Sequence, residues 1–178
     1  MVNTIAPQLH LVIDAVVQFD RRIKEVFQKH PDAQIFSSFP GAGPALAPRL
    51  LAAMGSDRSR FNSSMEVAEY SGIAPVTERS GKSKWVHRRF ACSQFVKQSF
   101  HEFAAQSILY CNWARGYYDQ KKIEGKRHHA AIRALAYRWI RIIYRCWKDR
   151  SPYDENKYIK SLRQRKPEWI QSFPTIDS

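Results

Sequence analysis

Acidic residues are what this chain is short of. Lys and Arg number 29 against 16 Asp and Glu, which gives a formal net charge of +13 and a pI near 9.9. Between Glu78 and Glu102 there is no acid at all. The scattered carboxylates form no spacing that demands a two-metal phosphoryl-transfer site. Cysteine is scarce too: Cys92, Cys111 and Cys146 are odd in number, far apart and free of any C-x-x-C pair. That fits reduced core thiols better than disulfides or zinc. No run of about eighteen apolar residues occurs, so no membrane-spanning helix is expected. The segment Leu9–Val17 is interrupted by His10 and Asp14 where the core of a secretory signal would be uniformly apolar, so a cytoplasmic location is expected. G-x-S-x-G, P-loop and H-E-x-x-H motifs, internal repeats and low-complexity tracts are all missing. The adjacent pair His128-His129 would point about a quarter-turn apart on a helix, so no metal ligands are assigned.

What is present is enough apolar material for a core, 44% of 178 residues, in a chain about one domain long. The positive charge is concentrated. Residues 1–32 carry four cations and four acids and residues 33–78 three and four, whereas residues 79–101 carry six cations and no acid, and residues 121–150 ten cations and two acids. A field of this kind attracts polyanions, nucleic acid first and an anionic membrane surface second.

Periodicity predicts a mainly α protein. Apolar residues from Leu9 to Phe27 recur at three-and-four spacing and predict a helix over 8–29, stopped by His30-Pro31, whose long apolar stripe is that of a coiled coil lacking its partner. Phe39-Pro40-Gly41-Ala42-Gly43, followed by the small Ala47 four residues after the second glycine and the apolar pair Leu50-Leu51, has the form of a helix-hairpin-helix. In that form Gly41 and Gly43 let the backbone turn sharply and free N–H groups hold a phosphate. Pro44 and Pro48 remove donors from such a grip, and the same pattern serves equally as a plain joint between two core helices. Ser63 or Ser64 caps a helix to Tyr70, Gly72 follows its end, and residues 84–90 alternate as a strand or ribbon would. One long core helix is predicted over 93–122 and another over 127–148. On the second, Arg138, Arg141, Arg145 and Lys148 stack on one face, which costs stability unless an anion receives them; the plain alternative is a solvated basic face. A short helix is predicted to about Arg165. The domain division expected is a coiled-coil-like helix at 1–32, a helical domain at 33–150 and a tail at 151–178.

Ser80 is the candidate nucleophile, a hydroxyl at the Ser80-Gly81 corner with Arg79, Lys82, Lys84, Arg88 and Arg89 around it. Only His87 stands near it as a base in sequence, a weak signal for a hydrolase triad, and a Ser-Gly turn explains the same residues without chemistry. Ser71 and Ser83 are rival hydroxyls in the same stretch.

The order of Phe39-Pro40-Gly41-Ala42-Gly43, Arg60-Phe61, Tyr70-Ser71-Gly72-Ile73-Ala74-Pro75, Ser80-Gly81, Trp113-Ala114 with Tyr117-Tyr118, Gly125-Lys126 and residues 130–140 resembles one family. It is similar to the C-terminal domain of the insertion-sequence DEDD transposases guided by a bridge RNA, from about Phe36 to Tyr158. The resemblance implies that Ser80 attacks DNA during strand cleavage and joining. It also implies that residues 8–29 match the end of a coiled coil, and that magnesium is held by four acidic residues of a separate N-terminal domain. That domain is not among these residues, so this chain is not expected to be catalytic alone and no cofactor is assigned to it. The expected partners are DNA, a guide RNA, and either a second copy or an acidic-domain partner joined through the N-terminal helix. The nucleic-acid-binding residues expected are Gly41, Gly43, Arg79, Lys82, Lys84, Arg88, Arg89, Arg138, Arg141 and Arg145. The competing reading is a non-catalytic helix-hairpin-helix-type nucleic-acid-binding module.

Overall fold

A computed structural model describes residues 2–81, 83–89 and 91–165. Among them the chain is mainly helical: α1 Val2–Gln28, α2 Ala33–Ser37, α3 Gly43–Met54, α4 Ser64–Tyr70, α5 Gln94–Tyr110, α6 Asn112–Ile123, α7 His128–Lys148 and α8 Glu155–Gln164. One antiparallel hairpin, β1 Pro75–Ser80 and β2 Ser83–Arg88, interrupts them.

The body is assembled on α7, which packs against α4, α5 and α6, while α3 bridges α2 and α5. The apolar positions of α7 from Ala131 through Leu135, Trp139 and Ile143 to Trp147 recur every four residues, and all are buried. Arg145 and Lys148 in its last turn suit the negative end of the helix dipole. Three buried tryptophans form the centre, and each indole N–H finds an acceptor. Trp113 donates to the Tyr153 hydroxyl (2.8 Å), Trp139 to Ser107 Oγ (2.8 Å) and Trp147 to the Gly55 carbonyl (2.7 Å). Burying these N–H groups without partners would cost more than one hydrogen bond contributes.

The first helix begins at Val2 rather than residue 8 and runs through Pro7, and it ends at Gln28, close to the expected stop. Its apolar stripe is exposed, with Leu9 57%, Val16 52% and Ile23 48% open to solvent, and among its described side chains only Phe27 reaches the core. The single helix expected over 93–122 is two helices. Cys111 is extended (φ −139°, ψ 114°), and the bend it makes turns Trp113 inward to stack on Trp139 at 4.6 Å between ring centroids. On an unbroken helix Trp113 would face away from Cys111, so burial of the larger ring overrides helical continuity. The strand expected over 84–90 is β2, and its partner β1 is an addition that the sequence pattern does not reveal. Ser63 caps α4, accepting from Glu66 N at 3.2 Å.

The chain past residue 150 packs on the same body. Tyr153 N donates to Ser38 Oγ (2.8 Å), Asp154 caps α8 by accepting from Lys157 N (3.0 Å), and Leu162 is buried.

Candidate nucleic-acid interface

Ser80 is the last residue of β1, exposed, and pairs with Ser83 across the hairpin turn. Gly81 takes φ +56° with open space around its missing Cβ, so the turn is the kind that glycine permits rather than one packed against the body. Among the described residues the strands pair only with each other. A hydroxyl at the end of such a ribbon is held away from the core and free to meet another surface. The structure separates the two rival hydroxyls. Ser71 is fully buried and donates to the Ala68 carbonyl (3.0 Å), whereas Ser83 is exposed beside Ser80.

Lys82 lies outside the described residues, as do the side chains of Arg79, Lys84, Arg88 and the possible base His87. Arg89 is half-buried and stands 3.8 Å from Glu69, which ties the base of the ribbon to α4. Gly72 secures the other side. Its φ is +68°, and a Cβ there would stand 2.4 Å from Cys92 Sγ, so chain beyond the ribbon packs directly on the turn before it. Trp85, on β2, is 62% exposed, a large aromatic surface next to the cationic stretch.

The glycine turn between α2 and α3 divides its two glycines by role. A Cβ on Gly41 (φ +80°) would meet the Tyr110 ring at 3.0 Å and the Gln106 carbonyl oxygen at 3.2 Å, so this glycine lets the turn lie against α5. Gly43 (φ +55°) has open space and is exposed, with Pro44 beside it removing one donor from the first turn of α3. The helix before this turn is only five residues long.

The basic row on α7 is not uniform. Arg138 is half-buried, its guanidinium stacked 4.4 Å from the Tyr117 centroid and its Nη1 3.4 Å from the Tyr158 hydroxyl. Lys148 donates to the Arg58 carbonyl (2.9 Å). Arg141 and Arg145 are exposed; Arg145 Nε lies 3.6 Å from Asp149 with both side chains largely in solvent, a pair of little worth. Arg141 and Arg145 therefore present the row's most available charge. They face α8 across a groove of about 560 Å³ that also takes in Lys157, Tyr158 and Arg165. Sequence reasoning did not assign these last three. The signal was present, since Lys157, Ser161 and Arg165 lie four apart and form one row of α8, as do Tyr158 and Leu162. Burial raises the titration of the Tyr158 hydroxyl and pushes the Cys146 thiol up to about 11, so both stay protonated at neutral pH.

Among the described residues no group of three or more His, Cys, Asp and Glu side chains converges as a metal site. Several acids are engaged elsewhere: Asp32 with Arg58, Glu102 with Arg49 and Gln98, Glu124 with Lys121. These residues do not fit a magnesium centre. None of the three cysteines is in a disulfide, and no helix among the described residues is long and apolar enough to cross a membrane.

A helical body with a projecting serine-tipped ribbon and a cationic groove is the class that the geometry defines. Residues 33–119 match the model of the Transposase IS116/IS110/IS902 family. The mini-circle putative transposase for IS117 of Streptomyces coelicolor is 32% identical over 157 residues, 88% of this chain and 38% of that protein. The insertion element IS900 uncharacterized 42 kDa protein of Mycobacterium paratuberculosis is 36% identical over 135 residues, 75% of this chain and 34% of that protein. The pilin gene-inverting protein of Moraxella bovis is 25% identical over 151 residues, 80% of this chain and 46% of that protein. The chain thus spans less than half the length of these relatives, and what the matches support is a Transposase IS116/IS110/IS902 family domain within it.

Proposed function

We propose that this chain is the DNA-binding C-terminal part of an insertion-sequence transposase, in which Ser80 supplies the nucleophile for strand cleavage and joining. The observation that carries the reading is the position of Ser80, exposed at the end of a ribbon that projects from the body, inside the segment that matches the family. A serine hydroxyl is a weak nucleophile and must pass its proton to a base as Oγ attacks phosphorus and a P–O bond of the strand breaks. The developing charge calls for cations, and Arg79, Lys82, Lys84, Arg88 and Arg89, close to Ser80 in the sequence, are the residues we assign to supply them. The glycine turn at Gly41 and Gly43 serves as a helix-hairpin-helix-type backbone grip, and the α7 face adds Arg138, Arg141 and Arg145. A separate acidic domain, docked through α1, completes the reaction, and a guide RNA is the further partner we assign.

The test is a covalent adduct. With an acidic-domain partner, its RNA and donor DNA supplied, the wild-type chain should form a protein–DNA species that survives denaturation, and peptide mass spectrometry should place it on Ser80. Ser80→Ala should abolish it while DNA affinity stays within a few-fold, because one hydroxyl contributes only about 1 kcal/mol to a contact. Ser83→Ala is the control, since Ser83 is the neighbouring exposed hydroxyl. An adduct that persists in Ser80→Ala and vanishes in Ser83→Ala would transfer the role. Binding without any adduct would favour the non-catalytic nucleic-acid module.

A further inference from the structure

The groove between α7 and α8 lies beyond the segment that matches the family, and it is built differently from a merely basic face. Among the described residues five cations line it against two carboxylates, Asp149 and Asp154. Asp154 is committed to capping α8, and Asp149 faces Arg145 in a solvent-exposed pair. Arg141 and Arg145 come from one wall, Lys157 and Arg165 from the other. Like charges on two facing helices repel, and that arrangement becomes favourable when an anion lies between them.

The floor is what identifies the anion. Ile142 and Leu162 line the groove with the ring of Tyr158, which is itself held in place against Trp113 at 4.7 Å between centroids and by Arg138. A bare phosphate has no use for an apolar and aromatic floor. A duplex carries its bases stacked inside and offers only its backbone to a recess of about 560 Å³. A single strand has both halves of the match, phosphates for the rim and an unstacked base for the floor.

From this we infer that the α7–α8 groove holds a single-stranded stretch of nucleic acid, its phosphates on Arg141, Arg145 and Lys157 and a base against the partly exposed Tyr158 and Ile142, which the buried Leu162 backs. The inference deepens the proposed function and rests on it for the kind of partner, but it concerns a surface separate from Ser80. The strand is RNA or DNA by the same chemistry, and the experiment distinguishes them.

Fluorescence anisotropy of the full chain with labelled oligothymidylate, oligouridylate and a duplex of equal length, each over a range of salt, tests it. Arg141→Glu/Arg145→Glu should weaken single-strand binding roughly tenfold or more and lower the salt slope by about 1.4, at about 0.7 per phosphate contact. Duplex binding should change less. Lys122→Glu/Lys126→Glu, an equal charge change at exposed positions outside the groove, should leave single-strand affinity within about threefold. Photocrosslinking of a bromouracil strand, read by mass spectrometry, should label Tyr158 or its neighbours on α8 and needs no substitution. The stronger of the two single strands tells whether RNA or DNA is the occupant. Equal losses in both charge variants, a duplex preferred over both strands, displacement by a polyglutamate peptide with no crosslink on α8, or single-strand binding unmoved by the groove variant would each overturn the inference. If duplex binding survives in those cases the proposed function stands, whereas a chain that binds none of the three probes would sink both.

Discussion

Asp32 and Arg58 form an ion pair in which both partners are largely buried, with 10% and 16% of their side chains exposed and 2.6 Å between Oδ1 and Nη2. The arginine also stacks 4.8 Å from the Trp147 ring centroid and donates to the Ser56 carbonyl (3.0 Å), so it cannot swing out to water without giving up packing. Asp32→Ala should therefore cost about 3 kcal/mol in denaturant unfolding, the range for a charge left alone inside a protein. Removing both charges with Asp32→Ala/Arg58→Met should cost clearly less than the single change. Equal losses would mean that Asp32 acts through its place before α2 rather than through the pair. Neither residue is legible as a pair in the sequence, because 26 positions separate them and nothing in the spacing of either implies contact. Ser71 rivals Ser80 in the sequence for a related reason. Sequence places hydroxyls in a stretch, but only burial distinguishes a structural one from a presented one.

At the scale of elements, α5 and α7 meet at a histidine cluster, His101 against His129 at 5.6 Å and His129 against His128 at 5.0 Å between ring centroids. Burial lowers the titration of His101 below the usual histidine range, and His129, Arg133 and His128 push it the same way, against a smaller opposite pull from Glu102. A histidine whose folded pKa is depressed binds fewer protons native than unfolded, so its contribution is present above the unfolded value near 6.5 and is lost as pH falls through the folded one. Stability should accordingly decline below about pH 6.5, and His101→Gln should flatten that part of a melting-temperature profile. An identical slope in the variant would remove His101 from the account. The elements most legible in the sequence are those with sustained periodicity, α1 and α7, and α4 with its serine cap. The break at Cys111 is hidden because Val96, Phe100, Phe103, Cys111 and Ala114 keep helical spacing across it, and the bend is dictated by a tertiary demand, the seat of Trp113 beside Trp139. The β1 strand is hidden because Pro75 and the charged Glu78 and Arg79 leave no clean alternation. The α1 stripe makes its own prediction. Ile5, Leu9, Val12, Val16, Phe19, Ile23 and Val26 alternate at four and three residues and are all exposed. Apart from Phe27 at its end, this stretch of helix has no packed face, and little protects it beyond its own hydrogen bonds. Amide exchange across residues 5–26 should be fast in a dilute monomer and slow down with protein concentration or an added partner helix. Strong protection in the dilute monomer would contradict the idea that α1 awaits a partner.

Over the whole molecule, the charge of +13 matters through where it can meet one ligand. The ribbon and the α7 face are contributed by the two cation-rich segments read from the sequence. If about six phosphates of a partly single-stranded DNA are neutralised, about four of duplex on the ribbon and about two of single strand on the α7 face, the logarithm of affinity should fall with the logarithm of salt at a slope of about −5, roughly a thousandfold loss between about 50 and 200 mM. Because contacts to phosphate carry no sequence information, scrambling the duplex should change affinity by no more than a few-fold. Lys84→Glu/Arg88→Glu on the ribbon should reduce the slope by about two, since every phosphate left without its cation keeps its own counterions. Those positions are preferred over Arg89, whose guanidinium already faces Glu69 and whose removal would confuse binding with folding. The same pair of changes should leave the melting temperature within about 2 °C, as expected of substitutions on a ribbon that pairs only with itself. A slope that does not move, with the fold intact, would mean that DNA never touches the ribbon, and Ser80 at its tip would then have no strand to attack.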